Sequence, residues 1–330
     1  MSMNKRKMLN PFLHYAHNHP RKLIVDIHSY CNARCTMCPY PRLSRKQSQG
    51  EMDLNLYRAI VDELSQLGRE HDFVPLMTYC YMGEPFISDR VHEYVRYAIE
   101  QGINVYLNTN ASLLSPAKTD ALLATGFTGQ INISVPGITR EVYERITGLD
   151  YPRTMSNIDY LLAHYEGQQV LIRGVDDHWP ESEKERWLAF WEEKGVQIEY
   201  LAPISRCGRI GRLLPKKLKQ KQTFRLYGCK CHHPLVEMVI LFDGRAVMCC
   251  QDMGRELIWG NVAEEGLAGV WNSSVRQEAV CKLYCGETVT KEFLCARCEQ
   301  AMTRSEMMQM LFRKGWQKIT RRESKELQSV

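Results

Sequence analysis

The alternation of apolar and polar positions begins at residues 23–28, a short β-branched run that predicts a buried strand. Leu54, Ile60, Val61 and Leu64 then recur at helical spacing over residues 54–68, with Gly68 as the stop. The two patterns keep alternating. Further strands are expected at 74–80, 103–107, 130–135, 169–173 and 196–200, and helices at 89–101, 115–125, 140–146, 156–165 and 181–194. Ser115-Pro116 supplies a cap with proline in the first turn, and Gly102 follows the second helix. Strands alternating with helices imply a parallel sheet with right-handed crossovers. Six strands are too few for a closed eight-stranded barrel. The expected fold class is therefore α/β, a partial (β/α)6 TIM-like barrel with its chemistry at the carboxyl ends of the strands.

The alternation stops near residue 202. A basic stretch at 216–221 reads as a solvated linker or helix face. Two apolar runs, 236–242 and 245–249, flank Asp243-Gly244 and predict a β-hairpin. From Thr303 the pattern is that of a basic amphipathic helix with a frayed end. The expected organisation is an N-terminal extension (1–22), a barrel (23–202), a small C-terminal α+β domain (203–302) and a basic tail (303–330).

Composition narrows the function classes. With 44% hydrophobic and 25% charged residues the chain is globular, and a net charge of +5 does not by itself call for nucleic acid. No apolar run is long enough for a membrane span, and the basic start lacks the features of a signal peptide, so a cytoplasmic protein is expected. Thirteen cysteines are many for a reducing compartment. Most fall in two groups, 31–38 and 207–298, at tight spacings that favour metal or cluster ligation over scattered thiols.

The first group, Cys31, Cys35 and Cys38, has C-x3-C-x2-C spacing directly after the first strand. Three thiolates on one loop can hold three irons of a cubane and leave the fourth open, whereas a zinc site usually closes with a fourth ligand. His28 lies in the strand itself and reads as a core or backing histidine. This arrangement resembles the radical S-adenosylmethionine (SAM) superfamily. The resemblance implies a 4Fe–4S cluster on Cys31, Cys35 and Cys38, with SAM on its open iron. It further implies that Gly83 and Glu84, in the run Tyr81 to Pro85 after the second strand, contact the SAM ammonium. Met37 would lie beside adenine. Asn108, Asn110 and Ser134 would bind ribose and carboxylate, and Arg173 would pair with the SAM carboxylate.

The second group runs Cys231-x12-Gly244-x4-Cys249, then a long gap, then Cys295-x2-Cys298. It resembles the SPASM/twitch iron–sulfur domains of the same superfamily, which implies one auxiliary 4Fe–4S cluster on these four cysteines. A full SPASM domain holds two clusters and needs further cysteines beyond the C-x2-C pair, and none follows Cys298. A zinc ribbon is the rival reading. Cys229, Cys281 and Cys285 read as buried thiols or as ligands of a second cluster. Cys250 can exchange roles with Cys249 or stand as a free thiol that donates a hydrogen atom. Cys80 and Cys207 are weaker candidates for that task.

The resemblance implies reductive cleavage of SAM and abstraction of a substrate hydrogen, as in the butirosin-pathway aminocyclitol dehydrogenase and the neomycin-pathway epimerase. A small molecule (a sugar, aminocyclitol or nucleoside) is the expected substrate, undergoing oxidation, epimerisation or decarboxylation. Flavodoxin or ferredoxin is the expected reductant. Peptide maturases of this type usually carry an N-terminal recognition wing and a full SPASM domain. Only about 22 residues precede the first strand here, which disfavours that alternative. No dinucleotide-binding glycine fingerprint is present. The non-enzymatic alternative is a zinc or iron–sulfur protein that binds nucleic acid or transfers electrons, motivated by the basic stretch and tail.

Overall fold

Six short strands run parallel and adjacent in chain order: β1 (Lys22–Val25), β2 (Leu76–Tyr79), β3 (Asn104–Thr109), β4 (Ile131–Ser134), β5 (Val170–Val175) and β6 (Gln197–Leu201). The computed structural model describes residues 18–79, 81–167, 169–214, 216–220, 222–228 and 231–301. Helices α1 (Leu54–Glu70), α2 (Val91–Glu100), α3 (Pro116–Leu123), α4 (Arg140–Thr147), α5 (Tyr151–His164) and α6 (Glu181–Glu193) connect the strands. Side chains alternate across each strand. Leu23, Val25, Met77, Tyr79, Val105, Leu107, Ile131, Ile133 and Ile172 pack with the helices in the main core. Ile24, on the other face, joins Tyr40, Tyr81, Met82, Val239, Leu241 and Val247 in a second, smaller cluster. Ile60, Val61 and Leu64 of α1 are almost fully buried, each contributing about 1.5–3 kcal/mol.

Local signals set most helix starts. Asp53 caps α1 by accepting from Asn55 N at 2.8 Å, and Ser115 caps α3 through Lys118 N at 3.4 Å. Two boundaries differ from the expectation. Gly68 does not stop α1 but lies in its last turn. A Cβ there would fall 2.7 Å from Pro75 Cγ and 3.0 Å from the Phe73 carbonyl, so the glycine admits the chain entering β2. Helix α5 begins at Tyr151 rather than 156, because Asp150 accepts from Arg153 N at 2.7 Å and Pro152 is tolerated in the first turn.

The larger surprise is how the C-terminal region attaches. Strand β8 (Glu237–Ile240) pairs parallel with β1 on the edge opposite β2, in register from Lys22↔Glu237 to Val25↔Ile240. Strands β9 (Arg245–Val247) and β10 (Ile258–Asn261) continue the sheet antiparallel, giving the order β10-β9-β8-β1-β2-β3-β4-β5-β6. The expected hairpin is present, closed by Gly244 N to Leu241 O at 2.9 Å, with Gly244 at φ +85°. The auxiliary region thus shares the barrel's sheet.

Helices α7 (Val262–Trp271) and α8 (Ser274–Tyr284) complete the region, and β7 (Thr223–Arg225) pairs with β11 (Thr288–Thr290) apart from the main sheet. Glu63 of α1 accepts from Leu267 N and Ala268 N at 2.8 and 3.0 Å, tying α7 to the barrel. Residues 216–220 form a helical turn. The expected tail helix from Thr303 lies outside the described residues, as do Cys80 and Cys229. Among the described residues no helix is long and apolar enough to cross a membrane.

Candidate active site

The first cysteine loop leaves the carboxyl end of β1 and is held by its own backbone. Arg34 N and Thr36 N donate to the carbonyls of Thr147 and Ile146 at the end of α4, at 2.8 and 2.9 Å. Cys31 N donates to the Tyr40 hydroxyl at 2.8 Å, and Tyr40 N donates to Cys38 Sγ at 3.5 Å. The three thiols are partly buried and lie within each other's field. Burial pushes Cys31 up to about 12, with Glu84 and Cys38 adding to it, and burial also raises Cys35 and Cys38. Three partly buried cysteines on one loop supply three ligand positions and leave one corner open, so the donor set fits a 4Fe–4S group. Met37 sits on this loop, half-buried.

The turn after β2 lies against the same loop. A Cβ on Gly83 would collide with the His28 carbonyl oxygen and come within 3.0 Å of that of Tyr30. Only glycine lets these two backbones approach so closely. His28 braces the contact, accepting from Tyr30 N at 3.1 Å on Nδ1 and pairing through Nε2 with Pro85 O at 3.3 Å. Glu84 is 3% exposed, and its carboxylate accepts from Thr109 Oγ1 at 2.6 Å and Asn110 N at 2.7 Å. It therefore ties the β2 turn to the end of β3. Burial raises its pKa to about 7 against the opposing effect of these donors. Asn110 extends the network to Asn32 at 3.0 Å, beside Cys31.

Asp26, two residues past Ile24 on the same strand face, is 1% exposed. Its Oδ1 accepts from Met82 N at 3.4 Å, and its Oδ2 has no hydrogen-bond partner among the described residues. Burial raises its pKa from 3.8 to about 7. An acid with a raised folded-state pKa favours the folded state less as pH climbs. The loss runs from about pH 4, where the unfolded chain ionises, to about pH 7 and then levels off. Asp26→Asn removes this slope. Its stability advantage over the parent is expected to grow between pH 5 and pH 8 by about 2–4 kcal/mol, read by denaturant unfolding at both values. An advantage independent of pH would show that Asp26 does not titrate in this window.

Further along the sheet the strand ends carry polar groups. Asn108 Oδ1 accepts from Asn132 Nδ2 at 2.7 Å, and Arg173 Nη1 lies 3.5 Å from it. Arg173 is ion-paired with Glu199 at 2.6 Å, a partner the sequence did not suggest. Ser134, exposed at the end of β4, stands in register with Arg173. Asp177, past β5, accepts from Thr36 and from Arg212 at 2.6 Å, so the first cysteine loop is anchored to the segment after β6.

The second cysteine group converges on one cavity. Cys231, Cys249, Cys295 and Cys298 line it together with Cys207, His233, Met248 and Leu283. Cys231 precedes β8, Cys249 follows β9, and the C-x2-C pair spans a 3₁₀ turn at Leu294–Arg297. Cys298 Sγ accepts from Gln300 N at 3.4 Å. Arg276, 5% exposed, stacks 3.5 Å from the Trp271 ring and donates to Trp271 O and Pro234 O, which seats α8 behind the cavity. Three buried cysteines and the partly buried Cys231 around one space fit a single cubane.

The other cysteines divide. Cys250 does not line that cavity but packs against the Ile24–Tyr81–Val247 cluster, which Cys31 and Cys38 also touch. Its sulfur lies within 4.8 Å of ligand atoms of His233 and Glu237. Cys281 and Cys285 sit at the end of α8, and the Cys281 thiol donates to Glu287 at 2.8 Å, away from the cavity. Cys207, which the sequence offers only as a hydrogen-donor candidate secondary to Cys250, lines the cavity at 1% exposure.

Two family models match the chain: the radical SAM superfamily over residues 25–183, and the SPASM iron–sulfur cluster-binding domain over residues 231–299. The chain belongs to the radical SAM superfamily. As a radical SAM enzyme it uses a 4Fe–4S cluster with SAM, and its SPASM domain carries auxiliary iron–sulfur chemistry. Among curated proteins it is similar to the S-adenosyl-L-methionine-dependent 2-deoxy-scyllo-inosamine dehydrogenase of Niallia circulans, at 21% identity over 285 residues, covering 86% of this chain and 94% of that one. Among solved structures, BtrN in complex with AdoMet and 2-DOIA matches with TM-score 0.55 and 18% identity, over 87% of this chain and 94% of that one. Streptococcus suis SuiB bound to precursor peptide SuiA matches with TM-score 0.63 and 14% identity, over 87% and 71%. These likenesses establish the fold.

Proposed function

We propose that this radical SAM enzyme removes a hydrogen atom from a carbinol carbon of a small polyhydroxylated or amino-bearing ring, such as a sugar or aminocyclitol, and oxidises it. The observation that carries this reading is a similarity spanning nearly the whole length of a SAM-dependent aminocyclitol dehydrogenase. Cys31, Cys35 and Cys38 hold the SAM-binding cluster, and Cys231, Cys249, Cys295 and Cys298 hold one auxiliary cluster. When bound, the first cluster and SAM supply a carbon-centred radical that takes the substrate hydrogen, and the auxiliary cluster supplies an electron acceptor. The chain's own residues do the rest. Gly83 keeps the β2 turn against the cluster loop, and Glu84 fixes the end of β3. Asn108, Asn110, Ser134 and Arg173 offer donors and acceptors to SAM and the substrate. Glu199 holds Arg173 in one orientation. Flavodoxin or ferredoxin serves as the reductant, in the cytoplasm.

Cys250 supports a second reading. It packs against the cluster of side chains that Cys31 and Cys38 also touch and is not among the residues lining the auxiliary cavity, so its thiol is available to return a hydrogen atom and give epimerisation. One experiment separates the two: turnover of ring-deuterated aminocyclitols by the parent and by Cys250→Ala. Deuterium in 5′-deoxyadenosine with an unchanged yield of ketone in the variant supports the dehydrogenase. Deuterium transfer with loss of product in the variant supports the thiol donor. No transfer from any cyclitol or sugar, with transfer from a peptide, would overturn both.

A further inference from the structure

We propose that Cys207 is a fifth thiol of the auxiliary-cluster site, where it donates its S–H to the Cys298 sulfur and raises the potential at which the cluster accepts an electron. This rests on the reading that Cys231, Cys249, Cys295 and Cys298 hold one cubane. A cubane has four corners, and among the described residues five cysteines line the cavity.

Cys207 comes from the segment after β6, far in sequence from the other four. Arg206, Cys207 and Gly208 have φ values of +51°, +53° and +80°, a run of left-handed residues in which only the glycine is at ease. Such strain persists where surrounding contacts over-determine it, and it marks functional positions. The contacts are present here. Ser205 is fully buried; its Oγ accepts from Gly208 N at 3.0 Å and its N donates to Glu299 Oε1 at 2.8 Å. Arg206 donates to Gln251 at 2.9 Å, and Arg209 pairs at 2.7 Å with Glu256, which also holds Arg297. The bonds to Glu299, Gln251 and Glu256 all run to the auxiliary region that carries Cys249, Cys295 and Cys298. The result is a thiol sealed from solvent on the wall of the cavity that Cys298 also lines. Bound to a cluster, Cys298 is a thiolate with no proton to give, and its Sγ also accepts from Gln300 N, so Cys207 is the donor of the pair. Hydrogen bonds to a ligand sulfur draw off its charge and favour the reduced cluster. Cys207 is therefore a positioning residue for electron acceptance.

The test uses the full chain carrying Cys31→Ala, Cys35→Ala and Cys38→Ala, so that only the auxiliary cluster assembles. It is compared with the same chain also carrying Cys207→Ala or Cys207→Ser, by iron content and by redox titration followed with electron paramagnetic resonance. About four irons per chain are expected in all three. The midpoint potential falls in the alanine variant and recovers in part with serine, whose hydroxyl still donates. An unchanged potential in the alanine variant overturns the proposal. Loss of iron in that variant makes Cys207 a ligand and overturns it too. Absence of iron in the starting chain instead overturns the ligand assignment on which it rests.

Discussion

Alanine in place of Cys31, Cys35 or Cys38 is expected to abolish formation of 5′-deoxyadenosine while the chain keeps its fold and about four of its roughly eight irons. The reason is geometric. Each cysteine occupies one corner of a loop whose backbone is fixed independently, by Arg34 and Thr36 on the end of α4 and by the Tyr40 hydroxyl on Cys31 N. Losing one sulfur therefore leaves the loop in place but a cubane without its third ligand. The thiols are only partly buried, so the expected cost in stability is small, about 1 kcal/mol. Anaerobic assay with dithionite and SAM, together with iron analysis, checks both halves. Single variants that still cleave SAM would place the cluster elsewhere.

Gly83→Ala is expected to weaken SAM binding sharply and to lower stability by about 1–3 kcal/mol, the usual cost of forcing a group into a packed contact. The added methyl would strike the His28 and Tyr30 carbonyls, which are backbone and cannot swing aside. The turn must then lift off the cluster loop, and Glu84 with it, loosening its bonds to Thr109 and Asn110. Gly126→Ala is the control. Gly126 is at φ +79° with nothing within 4 Å of a built Cβ, so only backbone strain is added there. Equilibrium dialysis with SAM and thermal unfolding separate the cases: Gly83→Ala loses affinity and stability, Gly126→Ala stability alone. Equal SAM affinity in the two variants would show that the β2 turn does not form the SAM site.

Much of this was legible in the residues. The strands β1 to β6 announce themselves through short β-branched runs, and the helices through caps such as Asp53 and Ser115 that act within three residues. The first cysteine group carries a tight local spacing, whereas the second, spread over residues 231–298, is read through its resemblance to SPASM/twitch domains. The features that were not legible are those made by distant partners. The pairing of β8 with β1 joins residues more than two hundred apart, and a parallel edge leaves no mark in either sequence. Arg173 read as a SAM ligand from its place at a strand end, whereas its ion pair with Glu199 depends on the register of β5 and β6. Gly68 looked like a helix stop because sequence cannot show the chain of Phe73 and Pro75 lying against it. Cys207 has no neighbour at a telling spacing; only the fold brings it to the other four thiols.

The shared sheet gives the two cysteine groups a common frame. Val25 at the end of β1 leads into the first loop, and its hydrogen-bonded neighbour β8 begins a few residues after Cys231. The segment after β6 ties both ends, through Arg212 to Asp177 and through Arg209 to Glu256. The two cysteine groups are thus joined through one sheet.

Metal and sulfide analysis of anaerobically reconstituted protein, with paramagnetic resonance of the reduced form, tests the central claim most directly. The account predicts about eight irons and eight sulfides per chain, with one of two cubane signals shifting when SAM is added. About one or two zinc ions per chain, with no sulfide and no SAM-sensitive signal, would contradict it.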